Sequence, residues 1–215
     1  MKTILLQDAV ALIPDGATVM IGGFMGVGTP GRLVDELVRQ GRKNLTVIAN
    51  DNALPGVGIG KLISAGAVRK TIASHIGLNP ETQKKMLAGE LEVDLVPQGT
   101  VIERIRAGGF GLGGVLTATG VGTVVENGKQ RIEVDGKPYL LETALRADFA
   151  LVDAFLADYI GNLYYALTAR NFNPVIAMAA DQVIVEAENI VPVGVIAPDQ
   201  VMTPAPVVDY IVSHA

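Results

Sequence analysis

The stretch "MIGGFMGVGTPGRLVDELV", residues 20–38, decides how this chain folds. An apolar run leads into a glycine-rich turn, and the turn leads into a segment with Leu33, Val34, Leu37 and Val38 on one helical stripe. Pro30 stands near the first helical position and Gly41 ends the pattern. Strand, glycine loop and helix in succession form the opening unit of a parallel α/β sheet. Gly26, Gly28 and Gly31 also spell G-x-G-x-x-G, and Asp51 follows at about the distance of a ribose-binding acid. The dinucleotide reading fails on loop length. Gly22 and Gly23 already end the strand, so the loop exceeds the tight turn that a pyrophosphate needs. Asp51, in "NDN", reads as a turn residue. What survives is a glycine-rich loop at a helix N-terminus, offering N–H groups and partial positive charge to an anion or a carbonyl oxygen.

Outward from this unit the rhythm continues. Short β-branched runs at 17–21, 45–49, 68–74 and 92–96 read as strands, with helical patterns at 31–41, 79–89 and 99–109 between or after them. Such alternation predicts a parallel sheet with right-handed crossovers. The glycine-rich segment 107–122 reads as irregular. Beyond it, Asn127-Gly128 and Asp135-Gly136 are hairpin signals for an antiparallel flap over about 117–145. Strands resume at 148–155, 182–188 and 207–212, with a helix at 173–181. The expectation is an α/β fold in one domain over 1–215: an open, mainly parallel sheet of about seven strands, flanking helices and an antiparallel hairpin flap.

Composition narrows the function. The chain has 215 residues, 49% apolar and 18% charged, with a net charge of −5, so disorder is unfavoured and nothing points to nucleic acid. No apolar run reaches the roughly 18 residues of a membrane span. Gln7 and Asp8 interrupt the opening apolar run before a secretory h-region forms, so a cytoplasmic protein is expected. The mean hydropathy of +0.39 then implies an apolar surface, and hence a partner. Without cysteine there is no thiolate nucleophile, and no His or carboxylate cluster suggests a metal. In "PGVGIGKL", residues 55–62, Pro55 replaces the first P-loop glycine and Leu62 the Mg²⁺-binding hydroxyl, which excludes that motif. His75 is either a site residue or a structural one, while His214 lies at the C-terminus. None of Ser64, Ser74 and Ser213 sits in a G-x-S-x-G elbow. The chain thus has a glycine-built site without an evident nucleophile of its own.

At this point "DGATVMIGGFMGVGTP", residues 15–30, resembles the first signature of the α-type subunit of class I (3-oxoacid) coenzyme A transferases. "NLTVIANDN", "GIGKLI", "ASHIGLNPET", "ELEVDLVPQGTVIERIRAGGFGLGGVLTATGVGT" and "ARNFNPVIAMAAD" resemble the matching blocks in the same order, most like the acetate/butyrate–acetoacetate branch. The resemblance implies a glutamate that attacks acyl-CoA, giving an acyl-glutamyl anhydride. Returning CoA thiolate converts this to a glutamyl-CoA thioester, which then exchanges with an incoming acid. It implies CoA as a substrate and no permanently bound cofactor or metal. It also assigns Gln98, in "VPQGT", to the substrate carbonyl, and Gly22, Gly23, Phe24, Met25, Gly26, Val27 and Gly28 to the CoA or substrate cradle. A capping contact is the bland alternative for Gln98. Glu126, in "VVENGK", superficially matches the family's S-E-N-G nucleophile block, but Val125 replaces the serine and Lys129-Gln130 replace apolar residues. The resemblance therefore implies that the nucleophile belongs to a β subunit, in an α2β2 or larger assembly without nucleic acid or membrane. A phosphosugar isomerase or binding module of similar architecture is the other reading.

Overall fold

The computed structural model describes residues 2–212. From the N-terminus the elements are β1 (Lys2–Ile4), α1 (Leu6–Ala11), β2 (Thr18–Ile21), α2 (Gly31–Arg39), β3 (Leu45–Ile48), α3 (Gly60–Ser64), β4 (Val68–Ala73), α4 (Pro80–Leu87), β5 (Glu92–Leu95) and α5 (Gln98–Gly109). There follow β6 (Gly114–Thr117), β7 (Arg131–Val134), β8 (Lys137–Thr143), β9 (Ala147–Asp158), β10 (Leu163–Tyr164), α6 (Asn173–Ile176), β11 (Ala180–Val191) and β12 (Tyr210–Val212).

Eight strands pair in parallel in the order β1-β12-β11-β9-β2-β3-β4-β5, and β10 adds antiparallel to β9. From β2 the chain steps outward through β3, β4 and β5, whereas β9, β11 and β12 lie on the opposite side of β2. The β2–β9 boundary is therefore the point where the strand order reverses, where open α/β sheets form a crevice at their strand C-termini.

Because side chains alternate along a strand, consecutive residues feed opposite layers. Val19, Ile21, Val47, Leu151 and Ile184 pack on the face covered by Leu33 and Leu37 of α2 and Leu62 of α3. Met20, Ile48, Val152 and Val185 pack on the other face, against Val101 and Ile105 of α5 and Ile176 of α6. Both faces are apolar, as the continuous hydrophobic runs require.

The helices and strands expected before residue 106 are present. The structure adds the short helices α1 and α3, which no pattern in the sequence announced, and departs from expectation at four other points. The main sheet has nine strands rather than about seven, because β1 and β10, at three and two residues, are too short to carry a period-2 signal. Segment 107–122 is not wholly irregular, since Gly114–Thr117 forms β6 in a three-stranded antiparallel sheet of order β6-β8-β7. Its glycine has a packing reason: a Cβ on Gly114 would lie 2.4 Å from the Glu142 carbonyl oxygen. Asp135-Gly136 makes the expected hairpin turn, with φ of 51° and 70°. Asn127-Gly128 does not join two strands; it follows a 3₁₀ turn at Val124–Glu126. Finally, the helix expected over 173–181 is a single turn, and Ala180 already belongs to β11.

The candidate active site at the strand reversal

The glycine loop leaves β2 at the strand-order reversal and is built as a small hairpin. Phe24 and Val27 exchange backbone hydrogen bonds of 2.9 and 3.0 Å across Met25-Gly26, whose φ values of 51° and 91° suit a primed turn. Its tip is apolar and open: Phe24 is 46% and Val27 52% exposed.

Two asparagines from the far end of the chain hold the loop from behind. The Asn171 carbonyl accepts from the Gly23 amide at 3.0 Å, and its amino group donates to the Val27 carbonyl at 3.0 Å. Asn173, wholly buried, accepts from the Asp153 amide at 3.0 Å and donates to the carbonyls of Gly28 and Ala169, each at 2.9 Å. These contacts explain the glycines. A Cβ on Gly22 would fall 1.9 Å from the Asn173 carbonyl oxygen, and one on Gly28 would fall 2.4 Å from the Ala169 carbonyl oxygen. Both places are filled by loop-holding groups.

In front, the loop is held by Asp51, three residues beyond the end of β3. Its carboxylate accepts from the Met25 amide at 3.1 and 3.2 Å, the Ala53 amide at 2.7 Å and the Asn50 side-chain amide at 2.7 Å. The turn-residue reading of Asp51 is thus too modest. It is a buried tie between two strand ends, and a contact of 26 residues' separation leaves no local signal.

The offer of free donors at the helix N-terminus needs correction. The amides of Arg32 and Leu33, the second and third residues of α2, donate to the Glu186 carboxylate at 3.1 and 2.9 Å. A strand 154 residues away thus supplies the cap and takes the anion position. The amides of Gly22, Gly23, Phe24, Met25 and Val27 also have protein acceptors. Gly26 and Gly28 are the loop amides without one among the described residues. Burial pushes the Glu186 carboxyl above its ordinary value, opposed by its two backbone donors. Asp153, its cross-strand neighbour, is pushed up to about 7, first by burial and then by the charges of Glu186 and Glu188.

Gln98, the first residue of α5, faces the loop and donates to the Asn50 side-chain oxygen at 2.6 Å. Phe24, Met25, Asn50, Asp51, Ser74, His75, Leu78 and Gln98 enclose a cavity of about 360 Å³. A second cavity of about 310 Å³ shares Phe24, Asn50 and Gln98 and runs towards Arg106 and Asn171. Of the sequence-derived site residues, Phe24, Met25 and Gln98 thus line one space. Gly22, Gly23 and Gly28 lie behind it as fitting positions, and Gly26 and Val27 belong to the hairpin. His75 joins the lining, while His214 lies outside the described residues. Glu126 is elsewhere: its carboxylate accepts from the Gly122 amide at 2.6 Å and pairs with Arg131 at 3.4 Å in the flap. Asn50, Asn171 and Asn173 were not singled out by sequence, though Asn50 falls in the "NLTVIANDN" block and the other two in the "ARNFNPVIAMAAD" block. No cluster of acidic and His residues suited to a metal occurs among the described residues. No helix there is long and apolar enough to cross a membrane.

Comparison with known proteins places the chain in a family. The coenzyme A transferase family model matches residues 3–214. The chain is 58% identical to acetate CoA-transferase subunit alpha of Escherichia coli K12, covering 98% of this chain and 96% of that one. It is 53% identical to the acetoacetyl-CoA:acetate/butyrate CoA transferase alpha subunit of Clostridium acetobutylicum, over 99% and 98% of the two chains. Among solved structures, the acyl-CoA transferase YdiF of E. coli O157:H7, in a thioester complex with CoA, superposes with a TM-score of 0.87 at 24% identity. That match covers 99% of this chain and 47% of that one, a likeness of fold. A variant of the decarboxylase AibA/AibB superposes with a TM-score of 0.82 at 29% identity over 99% and 82% of the chains. The chain belongs to the coenzyme A transferase family, and within it to the α-type subunits. The phosphosugar alternative finds no support in these likenesses, and the Glu186 cap occupies the helix end that a phosphate would use.

Proposed function

We propose that this chain is the α half of a heteromeric enzyme that moves CoA between a short-chain acyl-CoA and a carboxylic acid such as acetate, butyrate or acetoacetate. The observation that carries this is the state of the cavity's one carboxylate. Among the residues lining the Gln98 cavity only Asp51 is acidic, and its oxygens are already taken by three N–H donors. A carboxylate so engaged is held back as a nucleophile, since attack on a thioester would cost those bonds. The attacking glutamate then comes from a second chain, forming first the acyl anhydride and then the glutamyl-CoA thioester. Exposed Phe24, Met25, Val27, Leu54, Val57 and Leu78 give that chain an apolar rim to cover. The relatives' names, as alpha subunits, support the same division of labour.

Gln98 is the group we assign to the substrate carbonyl, with Phe24 and Met25 walling the acyl end and the Gly22–Gly28 loop forming the cradle. CoA enters as a substrate, with no permanently bound cofactor. We place the enzyme in the cytoplasm as an α2β2 or larger assembly. The test is reconstitution with a β-type subunit. The isolated chain should transfer no CoA, the mixture should, and Gln98→Ala in the mixture should lower kcat by about a hundredfold if Gln98 donates to a developing oxyanion. Wild-type turnover by Gln98→Ala would return that residue to a structural role.

A further inference from the structure

Asp51, Asn50 and Gln98 form a line of side chains in contact, and the line has a direction. The Asn50 amino group donates to the Asp51 carboxylate at 2.7 Å, and the Gln98 amino group donates to the Asn50 carbonyl oxygen at 2.6 Å. Asn50 and Asp51 are 1% and 6% exposed, so solvent has little access to either. Amides can be reversed end for end; a carboxylate cannot, because it only accepts. Asp51 therefore decides the rest. Its oxygens require the Asn50 amino group, the Asn50 carbonyl then requires the Gln98 amino group, and Gln98 is left to turn its carbonyl oxygen and one remaining N–H to the cavity. The Asn50 backbone is fixed as well, since its carbonyl accepts from the Ser74 amide at 2.9 Å and the Ser74 hydroxyl at 2.7 Å.

We infer that Asp51 is a positioning residue: its acceptor-only carboxylate sets the polarity of the Asn50–Gln98 amide pair and thereby fixes which atom of Gln98 meets the substrate. The inference rests on the proposed substrate contact of Gln98. It differs from a purely structural role, which is to accept the Met25 and Ala53 amides; an amide carbonyl at position 51 could do that equally well. Asp51→Asn is nearly isosteric and keeps an acceptor for both amides, but it sets an amino group against the Asn50 amino group. Relief comes by reversing Asn50 and then Gln98, which interchanges the nitrogen and oxygen of Gln98 and so moves its donor N–H away from the place it holds at the substrate face. The exchange of both residues, Asn50→Asp with Asp51→Asn, restores every donor to an acceptor. The new amide at position 51 would accept the two backbone amides and donate to the new carboxylate at position 50, which would accept from Gln98.

The experiment measures kcat and KM with melting temperature for the reconstituted complex carrying Asp51→Asn, the exchanged pair, or Gln98→Ala. Misplacing a donor by this much predicts a fall in kcat of about a hundredfold for Asp51→Asn. Recovery of about tenfold or more is expected in the exchanged pair, as coupled residues are non-additive. Melting temperatures should stay near wild type. Wild-type kcat for Asp51→Asn, or an exchanged pair that folds but is as slow as the single variant, overturns the inference. If Asp51→Asn fails to fold, the exchanged pair decides alone: folding with kcat above that of Gln98→Ala supports the relay, and folding with kcat equal to it refutes the relay. Failure of the relay alone leaves Gln98→Ala slow, whereas wild-type turnover by Gln98→Ala removes the substrate contact and the relay together.

Discussion

Gly22 and Asn173 lie 151 positions apart in sequence, yet they compete for one small volume, and that competition is measurable. A Cβ added to Gly22 would lie 1.9, 2.5 and 2.9 Å from Oδ1, Cγ and Nδ2 of Asn173, and no other group is among its three nearest atoms. Gly22→Ala alone must displace a buried side chain, an overpacking cost of about 1–3 kcal/mol. Asn173→Ala alone leaves the Asp153 amide and the Gly28 and Ala169 carbonyls without their partner, about 2–4 kcal/mol together when only part of the site rehydrates. Simple addition gives roughly 3–7 kcal/mol. In the double variant, however, the methyl enters the space the amide vacated, so the clash term vanishes. The double variant should cost little more than Asn173→Ala, a coupling of about 1–3 kcal/mol. Urea unfolding of the four proteins, followed by circular dichroism, measures it. Strict additivity would mean that Asn173 does not fill the Gly22 position, and the picture of the loop held from behind would fall.

Other outcomes follow from the acids. The raised pKa of Asp153, about 7 against an ordinary 3.8, means that the folded chain keeps a proton the unfolded chain has lost between those values. The associated stability is present below about pH 4 and is lost as pH rises through 7, an upper bound of about 4 kcal/mol. Asp153→Asn should therefore gain on wild type as pH rises from about 5 to about 8 in melting experiments; a gap independent of pH would count against the burial of that carboxyl. Glu126→Gln should leave turnover of the reconstituted enzyme nearly intact, because its carboxylate serves the flap rather than the cavity. Complete loss of activity would make Glu126 the nucleophile.

How far the sequence could be read depends on how local each cause is. Strands β2 to β5 and helices α2, α4 and α5 announce themselves through periodicity, with Pro30 and Pro80 at helix starts and Gly41 and Gly89 after helix ends, all determined within a few residues, whereas β1, α1 and α3 are too short to do so. β6 was hidden because Gly114 looks like a loop residue, whereas it is a strand residue pressed against the Glu142 backbone. The loop Gly22–Gly28 was legible as a site element but its mechanics were not. The groups that shape it, Asn171, Asn173 and Glu186, reach it or the helix behind it from 144 to 154 residues away. Gln98 was found through a motif resemblance. The role of Asp51 was not legible, because a turn aspartate and a buried tie have the same local sequence.

The division of one active site between two chains is tested most directly by intact-protein mass spectrometry of each subunit after exposure to acyl-CoA. The mass of CoA should appear on the partner chain in the reconstituted enzyme and never on this one, alone or in the complex. A covalent CoA adduct on this chain, at Glu126 or any other carboxylate, would contradict the proposal outright.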